Sequence, residues 1–386
     1  MSEKKKIIKT DWSSNFTLVG RPVVTDYTYK IDERSTKSDW VYNSLNLGVD
    51  CGEKYGTVYC EAMGGYSENN ANVIYAHGKK EDDSDDFKKQ IVVAWEDRFN
   101  EAVLSELGEL SFITVGLEKT DKDKTFYKKF LSMYDAIPYI KEHLTADMVV
   151  NVKGNLTYSE YQGNVQVRKT INSIVLSKIE ESADFTARFT QSVLIDSDSA
   201  SLKNVDTEKG VMYLDTVVLD YLKEKDGVEI RGQYPYRKQF EFAMDLTNQT
   251  ACTAIMNKLF KVKRGTYTQI TFEGNFIEGG AVVTATLDDI PDDIRELVEW
   301  GVYTEEEALA RCSSNGNRER RMVLTKPYIK LVGDDKIPVV QRFTEKYTEE
   351  DLILDIVKED EVPFDVDNSN VASSSEVSGM DWLNAL

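Results

Sequence analysis

Between residues 232 and 242 the chain reads GQYPYRKQFEF, which places Tyr234, Tyr236, Arg237, Lys238 and Phe240 within seven residues. Aromatic faces stack on flat rings and guanidinium or ammonium groups meet phosphates. Interleaving the two on one strand suits an extended single-stranded nucleic acid. The same residue types recur around it, as Arg231 upstream and as Lys261, Lys263 and Arg264 downstream. In the first half Trp40, Tyr42, Tyr59 and Tyr66 fall on one expected hairpin, Tyr158 and Tyr161 near a later turn, and Arg168 and Lys169 on the strand after it. For any single tyrosine the competing reading is core packing or β-propensity. Arg318, Arg320 and Arg321 in NGNRERRMV form a further basic group, either a phosphate-binding loop or a solvated turn.

These residues need strands to hold them, and the sequence supplies strands. SDWVYNSLNLGVDCG (38–52) alternates apolar and polar positions, and TVYCEAMGGY follows a polar-glycine turn as its hairpin partner. Residues 15–31 read as a strand bent at Gly-Arg-Pro. Residues 124–144 carry helix-spaced apolar positions, and two strands follow, VNVKGNL (150–156) and NVQVRKTINSIVLS (164–177). The second half repeats the order. A strand over 184–197 and a long hairpin from 210–222 and 227–245 precede a helix at 246–260, with Thr247 or Asn248 as its cap. The strands ITFEGNF (270–276) and GAVVTATL (280–287) close the set. Helices are expected over 289–299 and 304–311, and a strand over 321–332.

Each half therefore runs three strands, a helix and two strands, the order of the OB-fold. The expected fold is mainly β, two tandem OB-fold-like Greek-key barrels plus a disordered acidic C-terminal tail. The divisions are 1–180, with a helical insertion, 181–345, and a tail at 346–386. A β-sandwich or another β-rich α+β fold is the alternative. The glycine shared by VNVKGNL and ITFEGNF sits where a strongly curved strand needs a residue without Cβ.

The whole chain has 386 residues and a net charge of −20. The last 38 residues hold eleven acids against one lysine, about half of that excess. An acidic total is awkward for a simple electrostatic nucleic-acid binder, so the basic residues must be local stripes. Four cysteines, at 51, 60, 252 and 312, match neither a metal pattern nor a disulfide framework, which suggests a reduced cytoplasmic setting. The start has no apolar signal-like run, and no stretch is long and apolar enough to span a membrane. The run KKEDDSDD (79–86) reads as a solvated loop, with metal binding as the lesser alternative.

With its strands and tail in view, the chain resembles phage-type single-stranded-DNA-binding proteins built from tandem OB domains, similar in plan to bacterial single-stranded-DNA-binding proteins and to replication protein A. The resemblance rests on LVGRP (18–22), on VNVKGNL with QGNVQV, on ITFEGNF with GGAVV, and on the ending GMDWLNAL. It implies a protein that coats and protects single-stranded DNA in DNA replication or recombination, with RNA left open as a ligand. It also implies an acidic tail whose apolar tip, Met380, Asp381, Trp382, Leu383 and Leu386, recruits replication or recombination proteins or tunes binding. The tip lacks the Pro-Phe terminus and dense acidic run of the bacterial proteins, which leaves its partners open. Self-association is also left open.

No nucleotide-binding glycine loop is present, and the two histidines, His77 and His143, make a histidine-based site improbable. The expectation is a non-enzyme with no cofactor and no metal. The alternatives are a viral structural or assembly β-protein and, third, a carboxylate-metal nuclease built on DDIPDD (288–293).

Overall fold

The computed structural model describes residues 6–225, 227–279, 320–333 and 336–353. The first half holds β1 (Ser14–Val23), β2 (Tyr29–Arg34), β3 (Trp40–Asp50), β4 (Thr57–Ser67), β5 (Val73–Lys79), β6 (Asp85–Ala94), the short α1 (Glu101–Leu104), β7 (Ile113–Lys119), β8 (Thr125–Phe130), α2 (Met133–His143), β9 (Val150–Tyr161) and β10 (Asn164–Leu176). The second holds β11 (Thr186–Ile195), β12 (Ala200–Asp206), β13 (Val211–Lys225), β14 (Val228–Ala243), α3 (Gln249–Ile255), β15 (Thr266–Glu278) and β16 (Arg320–Pro327). After these come β17 (Ile329–Val332), β18 (Ile337–Val340) and β19 (Arg342–Thr348).

Strand pairing closes two rings. In the first, β1 pairs β3, β3 pairs β4, β4 pairs β10 in parallel, β10 pairs β9, and β9 returns to β1. In the second, β11 pairs β13, β13 pairs β14, β14 pairs β16 in parallel, β16 pairs β15, and β15 returns to β11. Each ring has five strands, and its third and fifth run parallel. A helix joins the third to the fourth, α2 in one ring and α3, with its following turn, in the other. The chain is mainly β, built as two OB-fold-like barrels.

The barrels are joined through their first strands. β1 and β11 form an antiparallel ladder from Ser14↔Gln191 to Val19↔Thr186, so Phe16 lies directly opposite Phe189. Equivalent strands paired antiparallel are related by a local two-fold axis, and one fifteen-stranded sheet runs through both barrels. A single apolar core links them, with Phe16, Leu18, Leu47 and Ile174 from the first and Phe189, Phe240, Phe272 and Phe276 from the second. Burial of one such phenylalanine stabilises by about 1.5–3 kcal/mol.

The repeated glycine has the expected role in both barrels. Gly154 on β9 lies opposite Phe16, and Gly274 on β15 lies opposite Phe189. A Cβ at Gly154 would sit 1.9 Å from the Thr170 carbonyl oxygen and 2.7 Å from the Phe16 ring; at Gly274 it would sit 2.4 Å from the Phe189 ring and 2.6 Å from the Val323 oxygen. Only glycine lets the fourth strand pass between the first-strand ring and the fifth-strand backbone.

Each helix is capped from its own sequence. The Ser132 side chain accepts a hydrogen bond from the Tyr134 N–H and starts α2, which buries Ala136, Ile137 and Ile140. Asn248 accepts from the Ala251 N–H and starts α3, so it is the cap rather than Thr247.

Several expectations are corrected. The helix anticipated over 124–144 is confined to Met133–His143, because residues Thr125–Phe130 pair with β7 as the terminal strand of the large sheet. Residues 15–31 form two strands rather than one. Among the described residues the strand that fills the slot between β14 and β15 is Arg320–Pro327; the segment GAVVTATL expected there lies outside them. The helices anticipated over 289–299 and 304–311, the DDIPDD run, Cys312 and the acidic tail also lie outside the described residues. Cys51, Cys60 and Cys252 are free and buried. Among the described residues no helix is long and apolar enough to cross a membrane, and no group of His, Cys, Asp or Glu side chains could hold a metal ion.

Candidate nucleic-acid interface

On the first barrel, β3, β4 and β10 put Asn46, Tyr59, Glu61, Arg168 and Lys169 around one groove of about 380 Å³. The register sets this: Asn46 pairs with Glu61, and Glu61 with Thr170 on β10. Glu278 and Arg320 from the second barrel complete the lining. Tyr59 is half-buried and lines the groove. Arg168 Nε lies 3.8 Å from Glu61 Oε1, with side chains 46% and 49% exposed. So loose and solvated a pair leaves the guanidinium available to an incoming phosphate.

Lys169 behaves differently. Its Nζ lies 2.5 Å from Glu278 Oε1, the side chains only 12% and 7% exposed, and 4.9 Å from the centroid of the Phe276 ring. It is a bridge between the barrels, and its charge is already matched. The Glu278 N–H also donates to the Tyr55 carbonyl at 2.8 Å, which fastens the end of β15 to the β3–β4 loop.

On the second barrel, Arg237 and Lys238 line a depression of about 460 Å³ with Thr216, Gln239 and Tyr267, but also with Asp196, Asp198 and Asp215. Burial pulls the Lys238 pKa below the ordinary lysine value, and its Nζ lies 5.4 Å from the Phe240 ring centroid. Three carboxylates beside two cations make this depression a poorer phosphate site than the groove.

The two barrels share an ion pair. Glu61 pairs with Thr170 and Glu241 with Val323, and the residue two positions before each partner is an arginine. Arg168 therefore corresponds to Arg321, whose Nη2 lies 2.5 Å from Glu241 with side chains 16% and 15% exposed. The geometry is one position used twice: loose and solvated in the first barrel, tight and enclosed in the second.

Three expected stacking residues are core residues. Tyr236 and Phe240 are buried, because along β14 the positions 236, 240 and 242 face inward, and Tyr236 packs edge-on to Tyr234 at 4.8 Å. Tyr158 is buried between the barrels. Its hydroxyl donates to Gln191 Oε1 at 2.8 Å, its N–H donates to Asp220 Oδ2 at 2.7 Å, and burial pushes its pKa well above the usual value. Tyr66 packs on Trp95 and Tyr134. Tyr234 is half-buried and its hydroxyl accepts from Lys225 Nζ.

The remaining candidates lie elsewhere. Trp40 and Tyr42 are half-buried on β3, and Tyr161 is exposed beside the tight turn at Gln162 and Gly163. Arg231, on β14, pairs with Glu229 at 2.5 Å. Lys261, Lys263 and Arg264 sit on the exposed segment before β15, where Lys263 pairs with Glu345 at 2.9 Å. The tail residues Met380, Asp381, Trp382, Leu383 and Leu386 lie outside the described residues, as does Arg318. Sequence reading did not place Arg320 in the first-barrel groove, since that contact depends on how the two barrels join.

A family profile described as YorF matches residues 86–301, more than half of the chain. The chain belongs to the YorF family. The region shared with the YorF family begins in β6 and contains Arg168, Lys169, Arg237 and Lys238. No curated protein matches the sequence. Among solved structures, a deletion mutant of the single-stranded DNA binding protein from Thermus aquaticus aligns with 69% of this YorF-family chain and 87% of its own, at 9% identity and a TM-score of 0.26. A score that low carries no argument about either fold or function here.

Proposed function

We propose that this protein binds single-stranded DNA through the first-barrel groove and acts by binding rather than by catalysis. The observation that supports the reading is the groove itself, where Tyr59, Arg168 and Arg320 converge on the open face of an OB-like barrel. An aromatic ring for a base and two guanidinium groups for phosphates are what a flexible, unpaired strand needs. The glutamate that holds Arg168 at 3.8 Å is a placeholder that a phosphate displaces. The finer role is coating and protecting exposed strands during DNA replication or recombination, in the cytoplasm of a cell, host to a phage if phage-encoded. The acidic tail, with its Met380–Leu386 tip, either tunes binding or recruits partner proteins.

The test is fluorescence anisotropy of a labelled oligo-dT with the full chain and with Tyr59→Ala and Arg168→Ala. Loss of stacking at Tyr59 weakens binding by about 1–3 kcal/mol. Wild-type affinity in both variants would refute the groove as the binding site.

A further inference from the structure

We propose that the β7–β8 hairpin is a second contact surface for single-stranded nucleic acid, separate from the groove; this rests on the reading given under Proposed function. β8 ends the large sheet, in the order β4, β10, β7, β8, and among the described residues no strand pairs with its outer edge. Four consecutive residues of that edge, Phe126, Tyr127, Lys128 and Lys129, are exposed. Phe126 and Tyr127 are 47% and 56% exposed and, as neighbours on a strand, point to opposite faces. From Glu118 to Lys129 the hairpin carries five lysines and three acids, a local positive excess in a chain of net charge −20.

Lysines on a sheet edge are a common device against strand pairing between molecules, and that alone would account for them. It does not account for the two half-exposed aromatic rings beside them. Lys128 Nζ lies 4.4 Å from the Tyr139 ring centroid, and Lys129 Nζ lies 2.5 Å from Glu109 in a pair whose side chains are 44% and 59% exposed, so that, unlike the enclosed Lys169–Glu278 bridge, a phosphate can displace the glutamate. Half-exposed rings flanked by ammonium groups match bases and phosphates.

The hairpin lies on the strand that also serves the groove. β10 carries Arg168 toward its start and pairs with β7 over Ser173–Val175. At ~3.3 Å per residue and ~4.8 Å per strand, β8 lies roughly 20–30 Å from Arg168. A short ligand fills the groove alone, and only a longer one reaches both.

The test uses the full chain, wild type and Phe126→Ala/Tyr127→Ala, against labelled oligo-dT of about 4 nucleotides, the low end of the range that one OB barrel covers, and of about ten times that length. The expected result is unchanged affinity for the short oligonucleotide and at least about a tenfold loss for the long one. The Lys128→Gln/Lys129→Gln variant should lower the salt slope for the long oligonucleotide by about 1.4, at ~0.7 per phosphate contact on single strands. Wild-type affinity of the aromatic variant for the long oligonucleotide would overturn the hairpin surface and leave the groove standing. Equal losses on both lengths at an unchanged melting temperature would place these residues in the groove site and overturn a separate surface. Self-association of the wild type that the variant lacks, with DNA binding unchanged, would overturn it in favour of strand pairing between chains. Failure of the wild type to bind either oligonucleotide would remove the groove reading and this one together.

Discussion

Phe16 and Phe189 stand directly opposite one another in the β1–β11 ladder, and each faces a glycine on the fourth strand of its own barrel, Gly154 and Gly274. Two rings and two glycines thus mark the local two-fold that joins the barrels into one sheet. The duplicated phrase in the sequence is the trace of this centre.

Filling either glycine position should therefore destabilise the whole molecule. Gly154→Ala or Gly274→Ala forces a methyl against a carbonyl oxygen and a phenyl ring, and is expected to cost about 1–3 kcal/mol by denaturant midpoint. Gly232→Ala, whose Cβ would meet nothing nearer than 3.5 Å, serves as the control with little change.

Lys169 and Glu278 form the enclosed bridge between barrels, so removal of one partner strands the other charge. Lys169→Ala is expected to lower stability by about 3–5 kcal/mol, and Lys169→Met/Glu278→Gln to recover most of it. Equal melting temperatures for the wild type and Lys169→Ala would show the bridge to be inert.

The two related arginines should separate stability from binding. Arg168→Ala leaves the melting temperature near wild type, because its solvated pair contributes under about 1 kcal/mol. It should still reduce the salt slope of oligo-dT binding by about 0.7. Arg321→Ala, whose pair with Glu241 is enclosed, should lower the melting temperature measurably.

The sequence pattern made the barrel strands legible because one face of each packs on the core, and the period of two shows it. The caps at Ser132 and Asn248 are equally local. What escaped was set by pairing partners far along the chain. Residues 126, 130, 133, 137 and 140 are spaced like a helix face, yet the first two belong to β8, since pairing with β7 outweighs local spacing. The closing strand of the second barrel, Arg320–Pro327, lies far along the chain from the β15 strand it pairs with, and no local pattern announces so distant a partner. In the GQYPYRKQFEF cluster the alternation is readable, but which parity faces the core is not. The structure turns Tyr236 and Phe240 inward and leaves Arg237 exposed.

Alkali offers a separate probe of the core. Burial pushes the Tyr29 and Tyr236 hydroxyls up to about 12, and neither finds a hydrogen-bond partner among the described residues. A group whose folded pKa is raised contributes stability that is complete below its unfolded pKa and is lost as pH rises through the folded one. Stability should therefore fall between about pH 10 and 12. Tyr29→Phe/Tyr236→Phe should flatten that fall without loss at pH 7, as read from chemical denaturation at each pH.

The central claim, that the first-barrel groove makes this a single-stranded DNA-binding protein, is tested most directly by competition between labelled oligo-dT and unlabelled duplex across a salt series. Oligo-dT is expected to bind tightly, with an affinity that weakens linearly with the logarithm of salt concentration, resists duplex competitor, and is reduced in Tyr59→Ala and Arg168→Ala. Oligo-dT binding that is absent at low salt, or that duplex displaces with equal affinity, would contradict it.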